Sequence, residues 1–335
     1  MIRVGLIGYG LAGAVFHEPL IHACDRLELT AVLTSREHPL HVGSVDELAG
    51  RCELVVIASP NPTHFPLAKA ALEAGRHVVV DKPIAVTVGE ADELIRIAGE
   101  RERVLTVFHN RRWDGDFLTV EKIMPGLGEV LLFEAHWDRF RPAIKPGWRE
   151  VPGPGAGLFN DLAPHMVDQA LRLFGTPDAV SADIEAQRGG ASVDDYFDVT
   201  LHYGQMRACL RGSTLVAAPR PRFAVHGTTG SFVKHGLDPQ EAQLKAGVRP
   251  GDPGFGESGE DGLLVRPDES CRAVPTESGD YLAFYEGVAA TILDGAPLPV
   301  RAEDARDGLA LIDLARRAAA LGQRLPVPGA SSPEG

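Results

Sequence analysis

The chain has 335 residues, of which 44% are hydrophobic and 24% charged, an ordinary composition for a globular protein of two domains. Its formal net charge of -13 argues against nucleic acid or an anionic membrane surface as the main partner. The four cysteines form no close-spaced pair, so we expect reduced thiols. No apolar run reaches the roughly 18 residues that span a bilayer, and no leader precedes the first strand. We therefore expect a cytoplasmic protein.

The first 110 residues alternate apolar strands with helical segments. The predicted strands are "RVGLIG", "LELTAVLTS", "CELVVIAS", "HVVVD" and "RVLTVFH". Between them lie helical patterns over residues 12–24, 64–74 and 88–101. Near-continuous apolar strands that alternate with helices are typical of a doubly wound parallel sheet. The sequence therefore predicts an α/β domain over residues 1–118.

A glycine pattern, G-x-G-x-x-G, directly follows the first strand and opens a helix. A turn of this kind holds a pyrophosphate against backbone N–H groups and the helix N-terminus. A glycine-rich turn without a ligand is the alternative. We predict a dinucleotide cradle formed by Gly8, Tyr9, Gly10, Leu11, Ala12 and Gly13.

The end of the second strand predicts which dinucleotide binds. A site selective for NAD has an acidic residue there, about 20 residues after the glycines, to hold the ribose hydroxyls. This chain has Thr34, Ser35 and Arg36 instead, and a guanidinium suits a 2′-phosphate. We therefore expect NADP. Two alternatives remain: Arg36 is simply solvated, or Glu37 binds the ribose of NAD.

A lysine follows the predicted strand "HVVVD", in the sequence Asp81-Lys82-Pro83. Ligands of open parallel sheets lie at the carboxyl ends of the strands. An amine there, partly dehydrated by a nicotinamide ring, can act as an electrophile or proton donor. A solvated lysine at a strand end is the plain alternative.

Residues 119–325 have a different pattern, with strands that follow one another and few helices between them. The strands are "VLLFEAHWD", "AVSADIEAQ", "YFDVTLHYG", "RACLRGSTLV" and "RFAVHGTTGSFVKH", and helices are predicted over 161–174, 281–292 and 303–321. We expect a second, α+β domain with a mostly antiparallel sheet. The exposed face of this sheet would need to pack against another surface, which predicts a homo-oligomer, either a dimer or a tetramer. Residues 248–262 read as a loop and 326–335 as a flexible tail.

Asp161 and His165 lie four residues apart and share one face of the predicted helix. A carboxylate beside an imidazole sets its tautomer and raises its basicity, so His165 could accept a hydroxyl proton. Alternatively, Asp161 or Asn160 caps the helix, with Pro164 in its first turn. We expect no metal, because no further His or Cys follows at ligand spacing.

Two polar and aromatic clusters complete the candidate residues. Residues 107–118, "VFHNRRWDGDFL", join the two predicted domains, and a later segment supplies Arg139, Arg141, Trp148 and Arg149. Such groups suit recognition of a hydroxyl-rich ring, and interdomain ion pairing is an equal alternative.

The chain resembles the Gfo/Idh/MocA oxidoreductases over nearly its whole length. The resemblance rests on "GYGLAG", "FHEPLI", "SPNPTHFPLAKAALEAGRHVVVDKP", "HNRRWDGDFLT", "WDRFRP", "GPGAGLFNDLAPHMVDQALRLFG" and "HGTTGSFVKHGLDPQE". It implies an N-terminal Rossmann domain and a C-terminal open-faced sheet, and the last five strings are most similar to the branch with NADP-dependent scyllo-inositol dehydrogenase. One departure is the short segment between Arg36 and Cys52, which implies a more open adenosine end.

The resemblance also implies residue roles. The lysine of the family's E/D-K-P motif falls on Lys82, and the pair of its D-x-x-x-H motif falls on Asp161 and His165. Positions near the cofactor fall on Phe16, His17, Ser59, Asn61 and His64, with Phe16 assigned to the substrate side. Positions of the substrate cleft fall on Asn110, Arg112, Trp113, Trp148 and Arg149.

These observations predict a nicotinamide-dependent oxidoreductase that acts on a secondary alcohol of a cyclitol or sugar. His165 or Lys82 would manage the proton, Lys82 would stabilise the alkoxide, and Asp161 would orient His165 or bind a neighbouring hydroxyl. Two other functions remain open. The chain could be a ligand sensor that binds the dinucleotide without turnover, or a glycoside-cleaving enzyme that holds NAD tightly.

Overall fold

The computed structural model describes residues 1–145, 147–153 and 155–329. The strands are β1 (Ile2–Ile7), β2 (Leu27–Leu33), β3 (His41–Val42), β4 (Leu54–Ile57), β5 (His77–Asp81), β6 (Leu105–Phe108), β7 (Val130–Asp138), β8 (Ala179–Glu185), β9 (Tyr196–Tyr203), β10 (Met206–Ser213), β11 (Phe223–Gly227), β12 (Gly230–Lys234), β13 (Gly262–Val265), β14 (Cys271–Val274) and β15 (Leu325–Pro326). The helices are α1 (Glu18–Ala23), α2 (Val45–Arg51), α3 (His64–Glu73), α4 (Val88–Glu100), α5 (Gly115–Ile123), α6 (Leu158–Phe174), α7 (Gln240–Lys245), α8 (Leu282–Asp294) and α9 (Ala302–Leu321).

The first unit is built on a six-stranded parallel sheet in the order β3-β2-β1-β4-β5-β6. This is the Rossmann arrangement that the alternation of strands and helices predicts. β4 and β6 are buried along their whole length, which explains their unbroken apolar sequences. The order reverses beside β1, so the carboxyl ends of β1 and β4 flank the crevice where ligands of such sheets bind.

The first unit includes more of the chain than the sequence indicates. It comprises Met1–Asp114, Pro239–Gly256 and Gly279–Asp307, whereas the last two segments fall within the predicted second domain of residues 119–325. The physical reason is hydrophobic burial. Tyr281, Phe284 and Tyr285 are completely buried in one core cluster with Leu6 of β1 and Phe108 of β6.

The second unit contains a nine-stranded sheet in the order β14-β13-β12-β11-β7-β10-β9-β8-β15. β7 and β10 run parallel, and the other neighbouring strands run antiparallel, as the predicted mostly antiparallel sheet requires. The apolar face of α6 contributes Phe159, Met166 and Val167 to the core cluster of this unit. β15 extends to Pro326, and the Val327 N–H donates to Asp178, so ordered structure runs into the predicted tail.

The remaining differences are local. The loop predicted over residues 248–262 ends one residue early, because Gly262 begins β13. The sequence did not predict β3, β13, β14, β15, α2, α5 or α7. All four cysteines are free. Within the part of the chain that the structure describes, no helix is long and apolar enough to cross a membrane.

Candidate functional site

The glycine turn after β1 has two structural glycines and one open one. Gly8 has a φ of 95°, and a Cβ there would lie 2.6 Å from the Ala58 carbonyl oxygen. A Cβ on Gly13 would collide with the Gly8 carbonyl oxygen, whereas a Cβ on Gly10 would meet nothing within 4 Å. The turn thus needs glycine at its ends to form, and its middle leaves backbone open to a ligand. This geometry fits a dinucleotide pyrophosphate.

Tyr9, in the middle of the turn, points its hydroxyl at protein rather than solvent. The hydroxyl donates to Glu18, and the Tyr9 and His38 rings pack in a T-shaped pair with their centroids 4.8 Å apart. The Leu40 N–H donates to His38 Nδ1, so Nε2 carries the proton and donates to Glu18 Oε1 at 3.1 Å. Burial, helped by the Glu18 carboxylate, raises the pKa of Tyr9 to about 12. The side chain of Tyr9 therefore holds the turn to α1.

Arg36 lies just past the end of β2, as expected. Ser35, Arg36 and Glu37 are exposed, and the Arg36 N–H donates to Thr34 Oγ1 at 3.1 Å. The short segment that follows still forms β3 and α2, and Ser44 caps α2 by accepting from the Glu47 N–H at 3.1 Å. The adenosine end thus keeps a strand and a helix despite its short sequence. The guanidinium of Arg36 is available to a ribose phosphate, and Glu37 stays an alternative ribose ligand.

Buried side chains hold the strand end that carries Lys82. Asp81 Oδ1 accepts from the Lys82 N–H at 2.7 Å, and Asp81 Oδ2 lies 3.9 Å from Nε2 of His17. His17 is completely buried, and its Nδ1 lies 2.6 Å from the Tyr285 hydroxyl. Burial opposes ionisation of Asp81, but His17, followed by Lys82 and His64, holds the pKa of its carboxyl below the ordinary value. Asp81 is therefore a carboxylate that orients the backbone in front of Lys82.

His64 links the loops after β4 and β5. Its Nε2 lies 2.8 Å from the Ser59 carbonyl oxygen, and its Nδ1 lies 2.7 Å from the Pro83 carbonyl oxygen. The Ser59 hydroxyl lies 2.6 Å from the Thr63 hydroxyl, and Asn61 begins the 3-10 turn between them. His64 is 1% exposed. His64 therefore ties the two loops together through both ring nitrogens.

Part of the polar cluster over residues 107–118 is an internal network of the first unit. Arg112 is 6% exposed and donates to Asp304 at 3.1 Å and to the Pro299 carbonyl at 3.3 Å. The Trp113 ring packs edge-on against Phe284 at 5.7 Å. Asn110 is also buried. For Arg112 and Trp113, these contacts supply a structural role that the sequence does not reveal.

In the second unit, α6 begins at Leu158, three residues earlier than predicted. Asp194 caps it: its Oδ1 accepts from the Phe159 N–H at 2.6 Å, and its backbone carbonyl accepts from the Leu158 N–H at 2.9 Å. The alternative interpretation, in which Asp161 or Asn160 caps the helix, is therefore wrong, and Pro164 lies inside the helix rather than in its first turn. The cap comes from a residue distant in sequence, which no local pattern indicates.

Asp161 lies beside two arginines at the edge of a cavity. Its carboxylate is 3.4 Å from Nε of Arg149 and 3.9 Å from Nη1 of Arg139. The cavity has a volume of about 200 Å³ and is polar on several sides. Arg149 thus lies on the wall of this cavity. The side chain of Trp148 lies outside the described residues.

His165 packs beside an aromatic ring that the sequence analysis did not assign to the site. It is 8% exposed, and its ring centroid lies 6.2 Å from that of Trp137 on β7. The guanidinium of Arg222 lies 4.9 Å from the Trp137 ring and donates to Gln169 Oε1 at 3.0 Å. The guanidinium of Arg222, which also pairs with Asp116 at 3.8 Å, thus stacks on the same ring that packs beside His165. Gln169, four residues after His165, lies on the same face of the helix.

The predicted catalytic residues divide between the units. Lys82 belongs to the first, and Asp161 and His165 belong to the second. Phe16, assigned to the substrate side, is half-buried and packs against the core of the first unit.

Comparisons with known proteins match both units. Residues 2–109 match the family model described as "Oxidoreductase family, NAD-binding Rossmann fold" of the GFO_IDH_MocA group. Residues 120–328 match the model described as "Oxidoreductase family, C-terminal alpha/beta domain" of the same group.

Among curated proteins, the chain is 45% identical to the uncharacterized oxidoreductase YdgJ of Escherichia coli, over 93% of this chain and 95% of that protein. It is 38% identical to the scyllo-inositol 2-dehydrogenase (NADP(+)) IolW of Bacillus subtilis, over 94% and 92% of the two chains. A solved structure of the oxidoreductase YvaA from Bacillus subtilis is similar with a TM-score of 0.94 at 37% identity, covering 97% of this chain and 98% of the other.

Proposed function

The chain belongs to the Gfo/Idh/MocA family of oxidoreductases and has an NAD(P)-binding Rossmann domain, and from this premise we propose that it transfers a hydride between NADP(H) and a secondary alcohol or ketone of a cyclitol or sugar. The observation that carries the proposal is the glycine turn. Gly10 leaves backbone open beside β1 and β4, at the same sheet edge where Lys82 follows β5.

The nicotinamide, when bound, supplies the hydride acceptor or donor. The protein residues manage the proton and the charge. In the oxidative direction, His165 accepts the hydroxyl proton and the Lys82 ammonium stabilises the developing alkoxide. A donor of this kind in a dry site is worth several kcal/mol. Asp161, held beside Arg139 and Arg149, binds a neighbouring hydroxyl or orients His165.

The preference for NADP is supported by Arg36 and by the relative IolW, whose name specifies NADP. An exposed guanidinium past β2 pairs with the 2′-phosphate, which NAD lacks. The same relative supports a cyclitol substrate, because scyllo-inositol carries only secondary alcohols on its ring.

The proposal is tested by following NADPH and NADH consumption with a panel of inososes, ketoses and aldoses. We expect NADPH depletion with at least one polyol ketone. Lys82→Met should lower kcat by about 100-fold or more, since it removes a general acid or oxyanion donor. Lys122→Met, at a lysine of the second unit whose side chain is 64% exposed, is the matched control and should keep parental turnover.

His165→Ala separates chemistry from cofactor binding. We expect it to lower kcat while leaving NADPH affinity unchanged. A loss confined to NADPH binding would contradict the role of His165. NADPH binding without turnover on any panel member would favour the sensor, and product formation without net cofactor change would favour glycoside cleavage.

A further inference from the structure

The cavity beside Asp161 is lined by more basic than acidic side chains. Five of its lining residues are basic, namely Arg139, Arg141, Lys145, Arg149 and Arg188, and three are acidic, namely Glu150, Asp161 and Asp194. The whole chain, in contrast, has a net charge of -13. The cavity therefore reverses the sign of the protein's charge at the point where the substrate is proposed to bind.

Some of these charges are matched by protein groups. Arg188 is 6% exposed and pairs with Glu150 and Asp195, each at 2.7 Å. Asp161 lies beside both Arg139 and Arg149. These pairs shape the wall of the cavity and engage two of its three carboxylates.

Arg141 and Lys145 are different. Both are exposed, and within the described part of the chain no carboxylate oxygen lies within 4 Å of their side-chain nitrogens. Their charges thus face the cavity and solvent.

The backbone that carries Arg141 is held in place. The Arg141 N–H donates to the Thr214 carbonyl at 2.7 Å, and the Arg139 N–H donates to the Ser213 carbonyl at 2.9 Å. A bridge between Phe140 and Leu215 continues this pairing. The guanidinium of Arg141 is therefore presented from a strand-like segment that continues β7 and is hydrogen-bonded to residues just after β10.

Guanidinium and ammonium groups only donate hydrogen bonds, whereas the hydroxyls of a neutral polyol both donate and accept. A wall with an excess of cations is matched best by a ligand group that only accepts and carries negative charge. The surplus also raises the local concentration of an anion at the mouth of the cavity.

We propose that the substrate is a sugar or cyclitol derivative with an anionic group, a carboxylate or a phosphate, that Arg141 and Lys145 bind. This inference rests on the proposed function, since it identifies the substrate class of that same site. Asp161 then faces the hydroxyls of the ring, and the anionic group lies away from the reacting carbon.

The test uses substrates that differ only in charge: D-galactose, D-galacturonate and D-galactose 6-phosphate, with the corresponding neutral and charged members of other sugars. We measure kcat/KM with NADPH or NADP, and ligand binding by calorimetry. We expect an anionic member to be preferred over its neutral parent by about tenfold or more, because a hydrogen bond to a charged group is worth that much. The uronate and phosphate arms identify which anion is used.

Arg141→Gln and Lys145→Gln should each lower kcat/KM and affinity for the anionic member about tenfold, and should lower both quantities less for the neutral member. Arg272→Gln, at an exposed arginine on β14 of the same unit, is the matched control. An equal response of the parent protein to charged and neutral members, or no binding of either, overturns the inference. Selective binding of the anion without any cofactor consumption would instead refute the proposed function and keep the anion site.

Discussion

Nδ1 of His17 lies 2.6 Å from the hydroxyl oxygen of Tyr285, and both side chains are completely buried. The two residues are separated by 268 positions in the chain and belong to the same unit. The other ring nitrogen of His17, Nε2, lies 3.9 Å from the carboxylate of Asp81, which precedes Lys82. A buried hydrogen bond on α8 thus supports the strand end that carries the proposed catalytic amine.

Tyr285→Phe should lower the free energy of unfolding by about 1–3 kcal/mol, because it leaves the buried Nδ1 of His17 without this partner. Urea denaturation followed by circular dichroism measures the change. Tyr203→Phe is the control: the Tyr203 hydroxyl donates to the Gly175 carbonyl at an exposed position, where water can replace it. Equal stability of Tyr285→Phe and the parent protein would show that the bond contributes nothing.

Alanine at Gly10 should affect cofactor binding, whereas alanine at Gly13 should affect stability. Gly10→Ala should leave the unfolding free energy within about 1 kcal/mol of the parent, since the new Cβ meets nothing within 4 Å. It should weaken NADPH binding on the order of tenfold, because the methyl group lies where the pyrophosphate approaches. Thermal unfolding and fluorescence titration with NADPH measure the two effects.

Gly13→Ala should instead destabilise the fold by more than about 1 kcal/mol, because its Cβ collides with the Gly8 carbonyl oxygen. Gly99→Ala, in α4 with open space around it, is the control for both variants and should change neither stability nor binding adversely. Tight NADPH binding by Gly10→Ala would mean that the cofactor does not approach this turn.

Arg36→Ala should raise the KM for NADPH by about tenfold or more and leave the KM for NADH unchanged, since only NADPH carries the phosphate that a guanidinium binds. Initial rates with both cofactors measure the ratio. Arg101→Ala, an exposed arginine at the end of α4, is the control. A parallel loss with both cofactors would assign Arg36 a general role in binding and leave selectivity to other residues.

Local patterns predicted much of this fold. The buried strands of the parallel sheet are continuous apolar sequences, and Gly13 is required by the carbonyl oxygen of Gly8 in the same turn. The mostly antiparallel sheet follows from strands separated by turn residues, and β7 matches its predicted bounds. Features of this kind depend on residues close in sequence, so a single chain reveals them.

Other features depend on residues far apart in the chain, and the sequence did not predict them. Phe284 and Tyr285 pack with Phe108 of β6, which draws α8 into the first unit. Asp194 caps α6 from 35 residues away in place of Asp161. Trp137 lies on β7 and His165 on α6, so only the tertiary fold shows that the two rings are neighbours. Such partners are chosen by the tertiary fold, not by local spacing.

The stability of the second unit should depend on pH through His202. This side chain is 9% exposed, and its Nε2 lies 2.9 Å from the Ser181 hydroxyl. Burial, followed by the charges of Arg324 and Arg207, lowers the pKa of His202 to about 4. The unfolded chain has an ordinary histidine pKa of about 6.5.

Between about pH 6.5 and pH 4, His202 is therefore protonated in the unfolded state and neutral in the folded state. The free energy of unfolding falls as the pH falls through this window. At most roughly 3 kcal/mol is lost, and no further loss from His202 occurs below pH 4, where both states are protonated. His202→Gln keeps a polar group near Ser181 but does not titrate. Urea denaturation at about pH 4.5, inside the window, and at about pH 7.5, above it, gives the difference in unfolding free energy between the two conditions. This difference should be smaller for His202→Gln than for the parent protein. His41→Gln, at an exposed histidine, is the control and should retain the difference of the parent protein. An unchanged difference in His202→Gln would mean that His202 is already protonated in the folded state.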